Sequence, residues 1–534
     1  MKLIRLRMVL SLAVLTLCGF TVACGGGGGP VSPTMTAAVA QTQNPLVAQV
    51  SIVSSCEGTA SVEFGPDLSY GRITSPYPVN GGNQGVNVLV AGMRASTTYH
   101  MLPSVQCASG TLTGQDLTFQ TGALPPIPVP QMTVTRPSPS TSSPENPGIE
   151  LVNVVAPGQN KIQAYFTDRD ANPIWYYDVG SASGNYPFAV KLLPNGHVIL
   201  SIDSSSNGSI SSGNSTLREI DLAGNTIREM DTAALDQKTQ AAGYDFTPTF
   251  YHHDVLPLDN GHVIVLVNTL KDFTDLTGLP GTIHVLGDAL IDLDSNWNPV
   301  WSWNGFDNLD VNRHLFGLPA GSDVLDWTHG NGLAYSASDG NLLLSMRHQS
   351  WVLKIDYNNG TGTGNILWRL GYQGDFALTV GGVPTTDPSE WFSFQHFPSI
   401  VSQTGSQTTV AIWDNGDSRT VNTTGGECGP PPSPACYSRA TIFQVDDSAM
   451  VADLLWDTLP GYFSIWGGSI NQLANGNAEF DINAPQTPTT ITSEVQEVTQ
   501  TSSPQIVWQM EFSDSNAYRA YRVPSLYPGV TWQY

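Results

Sequence analysis

The sequence predicts an all-β chain in which a six-bladed β-propeller follows a small β-sandwich. Two observations carry this. The 534 residues include 52 Gly and 37 Pro, with only 12% charged, the composition of a turn-rich β protein rather than a helical bundle. From residue 148 onward one unit recurs six times: a short β run, a turn, then an apolar strand that usually carries Trp.

Residues 1–23 read as a targeting segment. Lys2, Arg5 and Arg7 form its charged start, and residues 8–23 are mostly apolar but too short for a membrane span. Thr21-Val22-Ala23-Cys24 resembles a bacterial lipoprotein cleavage site, which makes Cys24 the lipidated N-terminus; the alternative is an ordinary secretory peptide with an incidental Cys. Residues 24–48, opening on five glycines after Cys24, read as a flexible tether. Residues 49–123 alternate in stretches such as ASVEFG, VNVLVAGM and TYHMLPSVQC, the pattern of a sandwich. The run from Gly92 to His100 resembles the tyrosine corner of fibronectin type III domains, so the sandwich is expected to be fibronectin-III/Ig-like. A Pro-rich linker spans 124–147, and the propeller fills 148–534.

Of six cysteines, Cys18 leaves with the leader and Cys24 takes lipid. The remaining four suit an oxidising compartment. Pairing by sequence neighbourhood gives Cys56–Cys107 and Cys428–Cys436, and neither pair has zinc-ligand spacing.

The repeated units are YFTDRDANPIWYYDV, EIDLAGNTIREMD, LIDLDSNWNPVWSW, KIDYNNGTGTGNILWRL, QVDDSAMVADLLWDT and EVTQTSSPQIVWQM. Between them lie PNGHVILS, DNGHVIVLV, SDGNLLLS and ANGNAEF, whose Asn-Gly and Asp-Gly pairs favour two-residue hairpins. Several antiparallel strands per unit at uneven spacing suit propeller blades better than a solenoid of equal periods. The uneven spacing assigns loop insertions to 232–249, 304–325 and 417–437.

The net charge of −24 and pI near 4.5 leave no basic footprint for nucleic acid. An anionic substrate would need a local cation cluster. Three histidines share one register: His252 in YHHDVLPLDNG, His329 in THGNGLAYS and His396 in QHFPSIVSQ, each at the start of a blade's first strand. In a ring of blades they converge. Arg347 closes the strand NLLLSMR in the His329 blade, and in a cation-poor chain a placed Arg is informative. An Arg with converging imidazoles makes an oxyanion site. The other histidines weigh less: His197 and His262 follow hairpin turns, His314 lies in an insertion, and His100, His284 and His348 lack register partners. His253 abuts His252 but faces away if the segment is extended.

Two chemistries fit. One is group transfer through a histidine nucleophile. The other is a three-histidine zinc site of a metal-dependent hydrolase, which would want carboxylate partners behind its imidazoles and would be opposed by the guanidinium. The balance favours nucleophilic transfer without cofactor or metal. A non-catalytic surface binding propeller is the third reading.

At YHHDVLPLDNG, DWTHGNGL, SMRHQS, FQHFP, WDNGDSR and YRAYRVPSLYP the chain resembles the bacterial arylsulfate sulfotransferases that need no nucleotide donor, over most of 148–534. The resemblance implies a ping-pong transfer of a sulfuryl group from a phenolic sulfate ester to a phenol through a sulfohistidine. It implies His396 as nucleophile, with His252, His329 and Arg347 binding sulfuryl oxygens and handling the proton, and Asn331 donating a hydrogen bond. Phe394, Phe397 and Trp391 flank the histidines as candidate walls for phenolic substrates, whereas Trp327 reads as packing. The residues do not fix the oligomeric state; the resemblance points to a homodimer. The expected location is the bacterial periplasm or outer membrane, held by the N-terminal lipid.

Overall fold

The computed structural model describes residues 32–137, 144–156, 159–204, 215–315, 318, 322–417, 419, 437–485 and 492–533. The leader, Cys24 and the Cys428–Cys436 pair lie outside these residues. The chain is nearly all β: among the described residues the only α-helices are Thr232–Ala241 and Gly305–Asn308. No described helix is long and apolar enough to cross a membrane.

The N-terminal part holds two sheets. Met35–Gln41 pairs with Ala48–Ser54, which pairs with Gln84–Val90. Glu57–Gly65 and Thr98–Cys107 carry the second sheet, and Cys56 and Cys107 form a disulfide. Alternating Val50, Ile52, Val62, Phe64, Val88 and Met101 fill the space between them. The Tyr99 hydroxyl accepts from the Arg94 amide at 3.0 Å, the bond expected of a tyrosine corner.

Two boundaries differ from the sequence reading. Residues 35–41, expected in the tether, form a strand whose alternate residues Ala37 and Val39 pack on the sandwich core. Within the expected linker, Met132–Thr135 adds an edge strand beside Ile506–Phe512, turning Met132 and Val134 onto a buried cluster. Alternating side chains in a Pro-flanked segment still gain by covering a sheet edge.

Six further sheets follow. Their innermost strands are labelled here β1 (Tyr186–Leu192), β2 (Phe250–Pro257), β3 (Gly330–Ser336), β4 (His396–Thr404), β5 (Ser469–Gln472) and β6 (Ala517–Val523). Successive inner strands pack against one another from β1 to β6, and Ile149–Val154, the partner of β6, packs against β1, so the series returns on itself. The Asn-Gly and Asp-Gly turns join inner strands to their neighbours, but not as the two-residue hairpins expected. In them only Gly196, Gly261, Gly340 and Gly476 take positive φ, between 72° and 86°. The loops run Leu193 to His197, Leu258 to His262, Ser336 to Asn341 and Leu473 to Asn477, each a turn closed by a left-handed glycine. The six repeated segments are the outer hairpins.

The C-terminal strand β6 completes the sheet that begins at Ile149. Beside that junction Arg522 meets three buried glutamates: Glu150, Glu479 at 3.3 Å and Glu497 at 3.2 Å. Beyond β6, Trp532 packs edge-on against Phe64 at 5.7 Å, and Tyr527 Oη donates to the Leu89 carbonyl at 2.8 Å. The chain's end therefore clamps the sandwich to the first sheets.

Candidate active site

Three inner strands bring in the histidines, and in each the ladder breaks at the imidazole. Register shifts fall between Tyr251 and Val255 in β2, Gly330 and Gly332 in β3, and His396 and Ser399 in β4. A bulge re-aims the side chains beside it. His329, Phe394 and Phe397 also take left-handed φ of 50°, 54° and 49°. Such backbone costs on the order of 1–3 kcal/mol at a non-Gly residue and persists only where its surroundings impose it.

The bulge in β2 overturns the expectation that His253 faces away. His252 and His253 lie with ring centroids 4.1 Å apart, and both rings approach His329, at 5.1 and 4.9 Å. His253 Nε2 is 3.1 Å from His329 Nε2. His348, set aside for want of a register partner, also belongs here, its ring 4.6 Å from that of His329. Tyr518 of β6 bridges to His396, with its ring 5.3 Å from His253 and 6.1 Å from His396.

His252, His329 and His396 are each held from behind, but not alike, whereas His253 Nδ1 has no hydrogen-bond partner among the described residues. His252 Nδ1 bonds Asp288 Oδ1 at 2.8 Å, and His329 Nδ1 bonds Asp326 Oδ2 at 2.6 Å. Asp288 is itself fixed by the Thr328 hydroxyl at 2.6 Å and the Gly330 amide at 2.5 Å. His396 Nδ1 meets an amide oxygen instead, Asn415 Oδ1 at 2.6 Å. Asn415 Nδ2 donates to the carbonyls of Ser464 at 2.9 Å and Gly467 at 3.1 Å. That pins the amide with its oxygen toward His396. His396 therefore carries its proton on Nδ1 and a lone pair on Nε2, which accepts a long bond from the Gly467 amide at 3.2 Å.

Burial pushes His396 well below the ordinary histidine range, helped by the charges of Arg347 and Arg519 and opposed by the Asn415 bond. Burial lowers His253 in the same way, with its neighbouring histidines adding to the effect. Burial also lowers His329, although Asp326 pulls it upward. His348 falls to about 3, again chiefly through burial. The imidazoles of His396, His253, His329 and His348 are therefore neutral near pH 7.

Arg347 leads a short 3₁₀ turn, Arg347–Gln349. Its Nη2 donates to Asp417 Oδ2 at 2.5 Å and to the Ile465 carbonyl at 2.9 Å, and its Nη1 meets His348 Nε2 at 2.7 Å. Its buried Nε has no partner among the described residues. A second arginine was not singled out by the sequence. Arg519 of β6 is buried between the rings of Phe397 at 4.7 Å and Tyr518 at 5.0 Å. One of its nitrogens donates to the Asn331 carbonyl, and its Nε and Nη1 have no hydrogen-bond partner among the described residues.

The remaining candidates divide. Phe394 lies under the Arg347 guanidinium at 5.1 Å and against His348 at 5.8 Å. Phe397 stacks on Tyr521 at 5.7 Å beneath Arg519. Trp391 does not line the site: it stacks on Phe443 at 6.1 Å inside a hydrophobic cluster, because the backbone around it runs into the core. Asn331 Nδ2 donates to the Gln395 carbonyl at 2.9 Å and ties β3 to the chain leading into β4. Trp327 packs on Phe306 at 5.2 Å, as read. Partly exposed Trp466, stacked on Tyr518 at 6.1 Å, and Phe188, edge-on to His253 at 4.4 Å, supply aromatic surface that the sequence did not single out.

Two groups could hold a metal ion: His252, His253 and His329, and Asp326, His329 and His348, each with ligand atoms within 4.8 Å of one another. What the arrangement can do chemically is bounded: neutral nucleophilic nitrogen, carboxylate-backed bases and two guanidiniums whose charges both reach His396 suit an anionic, group-transferring substrate.

A family model described as Arylsulfotransferase (ASST) matches residues 115–522. A search of curated proteins found no match. Similar solved structures include a lignostilbene dioxygenase from Pseudomonas brassicacearum, 11% identical, covering 88% of this chain and 92% of its own, with a TM-score of 0.33. A putative 6-phosphogluconolactonase from Bacteroides uniformis is 12% identical, covering 71% of this chain and 100% of its own, with a TM-score of 0.35. Scores this low carry no argument about this site.

Proposed function

Because the chain belongs to the arylsulfotransferase (ASST) family and is an aryl-sulfate sulfotransferase acting on small phenolic substrates, we propose that it works by ping-pong transfer through a sulfohistidine at His396. The observation that carries this assignment is the backing of the imidazoles. Of the three histidines in register, only His396 is oriented by a neutral amide, which leaves a lone pair on Nε2 and no carboxylate to stabilise its protonated form. A nucleophile has to be neutral at the moment of attack.

In the first half-reaction His396 Nε2 attacks the sulfur of an aryl sulfate. The sulfur–aryl-oxygen bond breaks, and the long bond from the Gly467 amide yields to the new nitrogen–sulfur bond. Arg347, whose Nε has no hydrogen-bond partner among the described residues, and the His252 Nε2 edge face the charge on the sulfuryl oxygens. His329, backed by Asp326, takes up a proton as the anionic ester enters and gives it to the departing aryl oxygen. In the second half-reaction an incoming phenol returns a proton to His329 Nε2 as its oxygen attacks sulfur. The nitrogen–sulfur bond then breaks, and its electron pair returns to His396.

Trp466, Phe188 and Phe394 are the proposed aromatic walls for the aryl groups. The six sheets are read as blades of a six-bladed propeller closed by β6, preceded by a fibronectin-III/Ig-like sandwich. The lipoprotein-type leader supports a periplasmic or outer-membrane site anchored through Cys24, and a homodimer remains the proposed assembly. The test is to incubate the purified protein with an aryl sulfate and a second phenol, without nucleotide. Sulfated acceptor with release of the first phenol is the expected result; donor binding without any transfer would refute the reading.

A further inference from the structure

We propose that His252, His253 and His329 form a binding site for one divalent transition-metal ion, best suited to zinc, and that the bound ion blocks sulfuryl transfer. The first half of this stands on geometry alone; the second rests on the reading of the same pocket as the sulfuryl site.

The geometry has four parts. One ring nitrogen from each histidine lies within 4.8 Å of the other two, and the closest pair, His253 Nε2 and His329 Nε2, is 3.1 Å apart. Zinc–nitrogen bonds of about 2.0–2.1 Å in a tetrahedron hold ligand nitrogens about 3.3–3.4 Å apart, so the His253–His329 pair is already near that spacing and His252 has to close on it. His252 Nε2 is buried without a hydrogen-bond partner among the described residues. Two of the three rings already have a carboxylate on the far nitrogen, Asp288 at 2.8 Å and Asp326 at 2.6 Å, the arrangement that orients a metal-binding imidazole and raises its basicity.

From sequence, a zinc site would want carboxylate partners behind its imidazoles and would be opposed by a guanidinium. The structure supplies the carboxylates. It also pairs Arg347 with Asp417 at 2.5 Å, which offsets part of that repulsion, although the charges of Arg347 and Arg519 still bear on His329 and His253. The competing group of Asp326, His329 and His348 fits less well, because His348 already uses Nδ1 on the Asp326 carbonyl at 2.7 Å and Nε2 on Arg347 at 2.7 Å. Imidazole donors suit zinc, copper or nickel; magnesium and calcium prefer oxygen. An ion on His329 Nε2 and His252 Nε2 takes the atoms that transfer needs, so metal and aryl sulfate compete.

The test uses the chelator-treated whole chain titrated with cobalt(II). Visible absorption bands of tetrahedral cobalt, saturating at one ion per chain, are expected. His253→Phe and His329→Gln should each lose the bands. His396→Gln should keep them while losing transfer. Zinc should raise the apparent KM for the aryl sulfate without changing kcat, and chelator should restore it. Absence of cobalt bands, or bands unchanged in both histidine variants, overturns the site; zinc that leaves transfer unchanged or accelerates it overturns the blocking role. The cobalt signal needs no turnover, so a failed metal site and a failed transfer mechanism give different results.

Discussion

The β2 and β3 side of the site and the β4 side are built from the same motif to opposite effect. His252 and His329 each lean on a carboxylate, whereas His396 leans on an amide whose orientation two backbone carbonyls dictate. A carboxylate behind an imidazole stabilises the imidazolium and makes a proton carrier; an amide fixes the tautomer without adding charge. The difference teaches that three histidines in one register need not share one role. In the proposed mechanism, what sits on Nδ1 sorts nucleophile from acid and base.

Four substitutions test that division, and the largest effect belongs to the β4 side. His396→Ala is expected to lower aryl sulfate turnover on the order of 10⁴-fold or more, since the bond-forming atom is gone; near-wild-type turnover would erase the distinction between the two sides. Next comes the cation that serves both sides. Arg347→Gln removes an anion-facing donor and should cost about 10²- to 10³-fold in kcat, read in steady-state assays. On the β3 side, Asp326→Asn keeps the shape but withdraws the negative charge behind His329. A loss of about 10- to 100-fold is expected, greatest for phenols that leave poorly, because they need the proton most. A loss independent of the leaving phenol would show that Asp326 only positions the ring.

The smallest change at neutral pH exchanges the backing itself. Burial holds His396 below its ordinary range, so its neutral form survives as pH falls through 6.5, the usual histidine value. The acid limb of kcat/KM should therefore lie below that value. Asn415→Asp places a carboxylate on Nδ1, favours the imidazolium and should move the acid limb upward. The loss should be small at pH 8 and should grow as the pH falls toward 6. A pH profile superimposable on the wild type, in a variant with an unchanged thermal midpoint, would break the comparison.

Much of the architecture was legible because it is periodic. The Asn-Gly and Asp-Gly turns and the six outer hairpins, five of them bearing Trp, repeat in sequence as they do in space. The strands Met35–Gln41 and Met132–Thr135 were hidden in segments whose Gly and Pro content read as linker, although both alternate. His396, His329 and His252 were singled out by register, and Arg347 by its place at a strand's end. His253 was misplaced because strict alternation cannot foresee a bulge. Asp288 lies 36 residues from His252 inside an apolar run, and Asn415 and Arg519 come from other strands. Only folding shows which side chains stand behind an imidazole. Even so, WDNGDSR, SMRHQS and YRAYR contain Asn415, Asp417, His348, Tyr518 and Arg519, so those motifs held more of the site than their histidines and one arginine suggested.

The most direct measurement is mass spectrometry of the protein quenched during incubation with an aryl sulfate and no acceptor. The account predicts one added sulfuryl group, located on the peptide that carries His396 and absent from the His396→Ala variant. A sulfuryl group on His252, His253 or His329 instead, or a protein that turns over while never carrying one, would contradict it.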